Sequence, residues 1–126
     1  DRSTLEIEDE YDVQDLLHAL LKLHFDDVRE EEYTPSYAGS SSRVDFLLKD
    51  ENIIIEVKKT RKSLKAKEVG EQLIIDKAHY TTHPDCKSLI CFVYDPDGRI
   101  SNPVGLERDL EKNNNGLNVK VIISPK

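Results

Sequence analysis

The segment Arg43-Val44-Asp45-Phe46-Leu47-Leu48-Lys49-Asp50-Glu51-Asn52-Ile53-Ile54-Ile55-Glu56-Val57-Lys58 reads as two apolar strands joined by a polar turn. Side chains alternate along a strand, so Glu56 and Lys58 leave the same face. With Asp50-Glu51 as a two-residue loop, Lys49 pairs with Asn52 and Asp45 falls opposite Glu56. Two carboxylates then stand roughly 5 Å apart on one face of the sheet. A loop one residue longer shifts the pairing by one and spoils that opposition. Like charges so placed destabilise a sheet unless positive charge lies between them. A divalent cation with the Lys58 ammonium beside it supplies that charge. Ile53, Ile54, Ile55 and Val57 imply that Glu56 is buried, where a carboxylate is costly unless paired or metal-bound.

Outward from the hairpin, the chain alternates helical and strand patterns. Residues 8–24 predict a first helix, with Val13, Leu16, Leu17, Leu20 and Leu23 at three/four spacing and acids in the first turn. Residues 27–33 predict a highly charged strand, and Pro, Gly and Ser make 34–42 a loop. After the hairpin, 65–82 predict a helix with Val69, Leu73 and Tyr80 buried, ended by His83-Pro84. Residues 88–94 are a nearly continuous apolar run, expected of a strand covered on both faces. Asp95-Pro96-Asp97-Gly98 is a turn, Pro103 opens a helix over 103–113, and Leu117–Ser124 is a last strand. The order helix, three strands, helix, strand, helix, strand predicts a small α/β sandwich with a mixed central sheet.

With 126 residues, one domain with a real core is expected. The chain opens on Asp1, and we expect a single domain, residues 1–126, excised from a longer protein. The net charge of −7 argues against a generic nucleic-acid coat protein, but the charge is unevenly placed. Residues 1–35 hold twelve acids against three bases, whereas 58–67 hold six bases and no acid. The basic run starts at Lys58 and extends outward from it. Cys86 and Cys91 are expected as unpaired thiols in a reducing cytoplasm. No apolar stretch is long enough to span a membrane.

An Asp on the second strand followed by Glu-x-Lys on the third resembles the PD-(D/E)XK nuclease superfamily. Within it the chain resembles the restriction endonucleases of the DpnII/MboI type. The residues that carry this are Tyr11-Asp12-Val13-Gln14, Ser42-Arg43-Val44-Asp45-Phe46, Ile55-Glu56-Val57-Lys58, Glu71-Gln72-Leu73 with Asp76 and Tyr80, and Val93-Tyr94-Asp95-Pro96. Together they span roughly residues 10–112. Val44 stands where the superfamily motif has proline, a common variation. The resemblance implies a restriction-endonuclease-like αβββαβ(αβ) sandwich and a Mg²⁺-dependent deoxyribonuclease, with Mn²⁺ as a substitute. It implies Asp45, Glu56, Lys58 and Gln72 as catalytic residues, and Asp45, Glu56 and the carbonyl of Val57 as metal ligands.

Carboxylates are the hard oxygen ligands that Mg²⁺ prefers. Lys58 would position or deprotonate water and stabilise charge developing on phosphate. Gln72 is equally readable as an exposed helix glutamine. Glu10 and Gln14 are candidates for supporting the metal or the third strand. Arg43, Lys59, Arg61, Lys62 and Lys65 are candidate DNA contacts, each adding sequence-independent affinity. The Tyr37–Ser42 loop reads as a disordered connector, and His79 and His83, one turn apart, lack a third zinc ligand. The expected partners are DNA and a second copy of the chain or further domains of the parent protein. A bacterial restriction or antiphage effector is the leading expectation. The alternatives are a catalytically silent nucleic-acid or protein binding module and a DNA-repair or junction-resolving nuclease.

Overall fold

A computed structural model of the chain describes residues 6–112, 114 and 116–126. The elements are α1 (Glu10–His24), β1 (Val28–Tyr33), β2 (Arg43–Leu48), β3 (Ile53–Lys59), α2 (Ala66–Thr81), β4 (Ser88–Tyr94), α3 (Pro103–Leu110) and β5 (Asn118–Ser124). The strands form one sheet in the order β1-β2-β3-β4-β5. β1, β2 and β3 run antiparallel to their neighbours, and β3, β4 and β5 are parallel, so the sheet is mixed as expected. α1 covers one face, where Leu17, Leu21 and Phe25 meet Phe46, Leu48 and Ile55. The opposite face buries Leu47, Ile54, Leu89, Cys91 and Val93 against α2 and α3.

The decisive register is the expected one. Leu48 faces Ile53, Leu47 faces Ile54 and Phe46 faces Ile55, which puts Asp45 in line with Glu56. The ladder stops at Phe46–Ile55, one step short of the two acids. Asn52 closes the turn with a φ of 58°, a conformation asparagine tolerates better than most residues.

α1 corrects one expectation. Val13, Leu17 and Leu21 turn inward with Gln14, whereas Leu16, Leu20 and Leu23 face outward at 38%, 46% and 77% exposure. The helix carries two leucine stripes, and only contact with the sheet selects between them. In β4, Leu89, Cys91 and Val93 are buried but Ile90 and Phe92 only partly so, making the α1-side cover thinner than a doubly buried strand requires. α3 stops at Leu110, short of the expected 113, a residue outside the described set. Glu107 of its last turn and Glu111, which caps its end, accept from the Ile123 and Val121 N–H groups at 2.7 and 2.9 Å, tying down the outer edge of β5. The 34–42 connector is ordered around a short 3₁₀ turn at Ser36–Ala38. Both cysteines are buried free thiols.

The turn after β4 is held by buried Asp95. It accepts from Thr60 Oγ1 at 2.7 Å and from the Arg99 and Ile100 N–H groups at 2.9 and 3.0 Å. Burial raises its pKa, but these bonds outweigh burial and hold the carboxyl below its ordinary 3.8. Its contribution is therefore present above that value and lost as pH falls through the lower folded one. Asp95→Ala is expected to cost about 2 kcal/mol at neutral pH, because buried donors lose their acceptor. Urea unfolding should show that cost shrinking below about pH 3.8.

Candidate active site

Asp45 on β2 and Glu56 and Lys58 on β3 project from the same sheet face as Leu47 and Ile54, toward α2. α2 answers with a stripe of Val69, Leu73, Asp76 and Tyr80, all buried. Three carboxylates thus converge at 1%, 0% and 0% exposure: Asp45, Glu56 and Asp76. The Tyr80 hydroxyl donates to Asp45 Oδ2. The Tyr37 hydroxyl, from the 3₁₀ turn, donates to Asp76 at 3.1 Å.

Two cations offset these acids. Lys58 Nζ donates to Gln72 Oε1 at 3.0 Å and to Asp76 Oδ2 at 3.2 Å. The Arg43 guanidinium stands between the carboxylates. Its Nε lies 3.1 Å from Asp45 Oδ1 and its Nη1 3.1 Å from Asp76 Oδ2, while Nη2 pairs with Glu56 Oε2. The fit is incomplete: Arg43 Nε, Asp45 Oδ1 and Glu56 Oε1 are buried without a hydrogen-bond partner.

Ionisation follows this geometry. Burial dominates at Glu56 and pushes its carboxyl up to about 8 despite Lys58 and Arg43 nearby. Burial likewise raises Asp45, only partly offset by Arg43 and by the Tyr80 hydrogen bond. Asp76 goes the other way: burial opposes its charge, but Lys58 and Arg43 bring it below its usual value. At Lys58 burial works against the ammonium, yet Glu56 and Asp76 outweigh it and raise the pKa. In this arrangement Lys58 is a held cation and not a proton acceptor.

A cleft of about 560 Å³ opens beside the cluster. Arg43, Lys58, Tyr37, Gln72, Lys59, Arg61 and Glu10 are among the residues that line it; Asp45 and Glu56 do not. Glu10 Oε1 accepts from the Lys59 N–H at 3.0 Å, so α1 supports the third strand. Gln72 is half-buried against Lys58, which favours its site reading over an exposed helix residue. Arg61 and Lys62 sit exposed on a tight turn in which Arg61 and Leu64 exchange backbone hydrogen bonds, and Lys65 is exposed just before α2. Arg43 lies deeper than the other candidate DNA contacts, with its side chain 12% exposed. Val57 sits between Glu56 and Lys58, its side chain buried. His79 stacks on Tyr33 at 3.8 Å and His83 meets Glu31 at 3.1 Å.

Two members of the cluster gained no site role from the sequence: Asp76, named there only among the residues that carry the resemblance, and Tyr37, named only as the start of a loop. Asp76 carried a signal, since it lies on the same helical stripe as Leu73 and Tyr80, where an acid is bound to be buried. Tyr37 carried none, because a loop's path over the sheet is a tertiary matter.

A family model described as REase_DpnII-MboI matches residues 1–126, the whole chain. The chain belongs to the DpnII-MboI family of restriction endonucleases. This family is part of the PD-(D/E)XK-like restriction endonuclease group, and the mixed α/β sandwich agrees with that fold. No curated protein and no solved structure matches the chain. DpnII-MboI family members are DNA nucleases and generally use divalent metal ions. The donor set here suits such an ion: Asp45 Oδ1 and Glu56 Oε1 are buried carboxylate oxygens without hydrogen-bond partners. Among the described residues no three His, Cys, Asp or Glu side chains are arranged to hold an ion, and the guanidinium stands at the centre of the three acids. Among the described residues no helix is long and apolar enough to cross a membrane.

Proposed function

We propose that this chain is the metal-dependent endonuclease domain of a bacterial restriction or antiphage defence protein, hydrolysing DNA phosphodiester bonds at Asp45, Glu56 and Lys58. The observation that carries this reading is the in-register pair Asp45 and Glu56, buried on adjacent strands, with the Lys58 ammonium beside them at a cleft that Arg43, Lys59 and Arg61 line together with Glu8, Asp9 and Glu10. Asp45, Glu56 and the Val57 carbonyl would hold Mg²⁺, or Mn²⁺ in its place. When bound, the ion supplies charge neutralisation and an acidified water.

The remaining roles fall to the chain. Lys58, kept protonated, stabilises charge developing on the phosphate. Gln72 and Asp76 fix the Lys58 ammonium, and Tyr80 orients Asp45 through its hydroxyl. Lys59 and Arg61 line the cleft, and with Lys62 and Lys65 they meet backbone phosphates. One such site cuts one strand, so double-strand cleavage requires a second copy or two successive nicks. The domain works on cytoplasmic DNA.

One observation favours a silent nucleic-acid binding module: Arg43 stands where a catalytic cation belongs. Against it, a binding module gains nothing from two buried acids in register. Incubation of chelator-treated protein with plasmid DNA separates the two. Cleavage that needs added Mg²⁺ or Mn²⁺ is expected, and none on DNA by the folded protein at any metal concentration contradicts the nuclease reading. Preferential cutting of branched DNA would move the role toward repair.

A further inference from the structure

The Arg43 guanidinium presents a different nitrogen to each of three buried carboxylates. With a divalent ion in place of Arg43, the ion and Lys58 carry three positive charges, which balance Asp45, Glu56 and Asp76 once all three are ionised. Adding the ion beside Arg43 instead leaves excess positive charge in a buried space, where unpaired charge is costly. Electrostatics therefore favours exchange over addition.

The hold on Arg43 is also releasable. Its Nε and one oxygen each of Asp45 and Glu56 lack hydrogen-bond partners, so the cluster is only partly satisfied. Arg43 lines the cleft whereas Asp45 and Glu56 do not, so the guanidinium separates the acids from the cleft. The ladder between β2 and β3 ends at Phe46, so the Arg43 side chain can leave without breaking that pairing. The ring of Tyr37, which lines the cleft, lies 5.9 Å from the guanidinium carbon and offers it a cation–π surface there.

We propose that Arg43 is an exchangeable internal counter-ion: it holds the three acids together in the metal-free protein, and an entering divalent ion displaces its guanidinium into the cleft. There it faces the phosphodiester backbone of the substrate. This inference rests on the metal-dependent reading of the site.

Exchange makes metal binding compete with Arg43, so the guanidinium lowers apparent metal affinity. Calorimetric titration of Mg²⁺ and Mn²⁺ into chelator-treated wild type, Arg43→Ala and Glu56→Gln tests this. Arg43→Ala is expected to bind about tenfold tighter than wild type and to melt lower without metal, the gap in melting temperature narrowing as metal is added. Equal or weaker binding by Arg43→Ala, with wild type binding well, overturns the exchange and leaves the metal site standing. Failure of both proteins to bind overturns the metal reading and the exchange with it. Should Arg43→Ala not fold, ¹⁵N NMR of wild type decides. The Arg43 Nη–H groups, which pair with Glu56 and Asp76 and are assigned with Arg43→Lys, are expected to be protected from solvent exchange without metal and to lose protection on Mg²⁺ saturation. Protection that persists at saturation contradicts the exchange.

Discussion

Glu56→Gln is expected to leave the metal-free fold within about 1 kcal/mol of wild type while slowing DNA cleavage by ~10³-fold or more. Both halves follow from one property. Burial raises the Glu56 carboxyl to about 8, so near neutral pH the metal-free protein holds it largely protonated. Glutamine matches a protonated glutamate in shape and in carrying a donor and an acceptor. The metal-free core therefore loses little. Cleavage is another matter, because a neutral amide is a poor ligand for Mg²⁺ beside a single remaining carboxylate. Losing several kcal/mol of charge stabilisation in the transition state corresponds to ~10³-fold in rate, at 1.36 kcal/mol per decade. Thermal melts and plasmid nicking on one preparation read the two effects together. A variant that cuts at the wild-type rate removes Glu56 from the chemistry.

Lys58→Met is expected to lose both stability and cleavage. Methionine keeps most of the aliphatic length, so the change reads the ammonium alone. Removing one partner of a buried ion pair costs about 3–5 kcal/mol, since the other charge is left uncompensated. The lower end applies, because Arg43 and Tyr37 still reach Asp76 at 3.1 Å. The raised pKa of Lys58 gives the pH dependence its sign. Its contribution is complete below the unfolded-lysine pKa of about 10.4 and is lost as pH rises through the higher folded value. Urea midpoints of wild type and Lys58→Met should thus converge in strong alkali. Cleavage should fall by about 10²–10³, the cost of removing one preorganised donor from a developing oxyanion.

The hairpin was legible because period-two alternation and a short polar turn leave few registers that keep Phe46, Leu48 and Ile55 on one face. Asp45, Glu56 and Lys58 follow from that register alone. The α2 stripe was legible for its apolar members, and Asp76 sits on it, so the third acid was readable in principle. The direction of Arg43 was also readable, two residues before Asp45 on one strand. Its grip on Asp76 was not, because the gap between sheet and α2 depends on how Leu64, Val69 and Leu73 pack beneath the helix. α1 shows the same limit. Its leucines occupy more than one stripe, and local spacing does not say which stripe the sheet takes.

The most direct measurement is the anomalous scattering of Mn²⁺ soaked into crystals of the wild-type domain. The expected result is a peak within coordination distance of both Asp45 and Glu56, with the Arg43 guanidinium moved out toward the cleft. A fully loaded, DNA-cleaving protein whose Mn²⁺ lies elsewhere, with Asp45 and Glu56 still gripping Arg43, would contradict the assignment of this site.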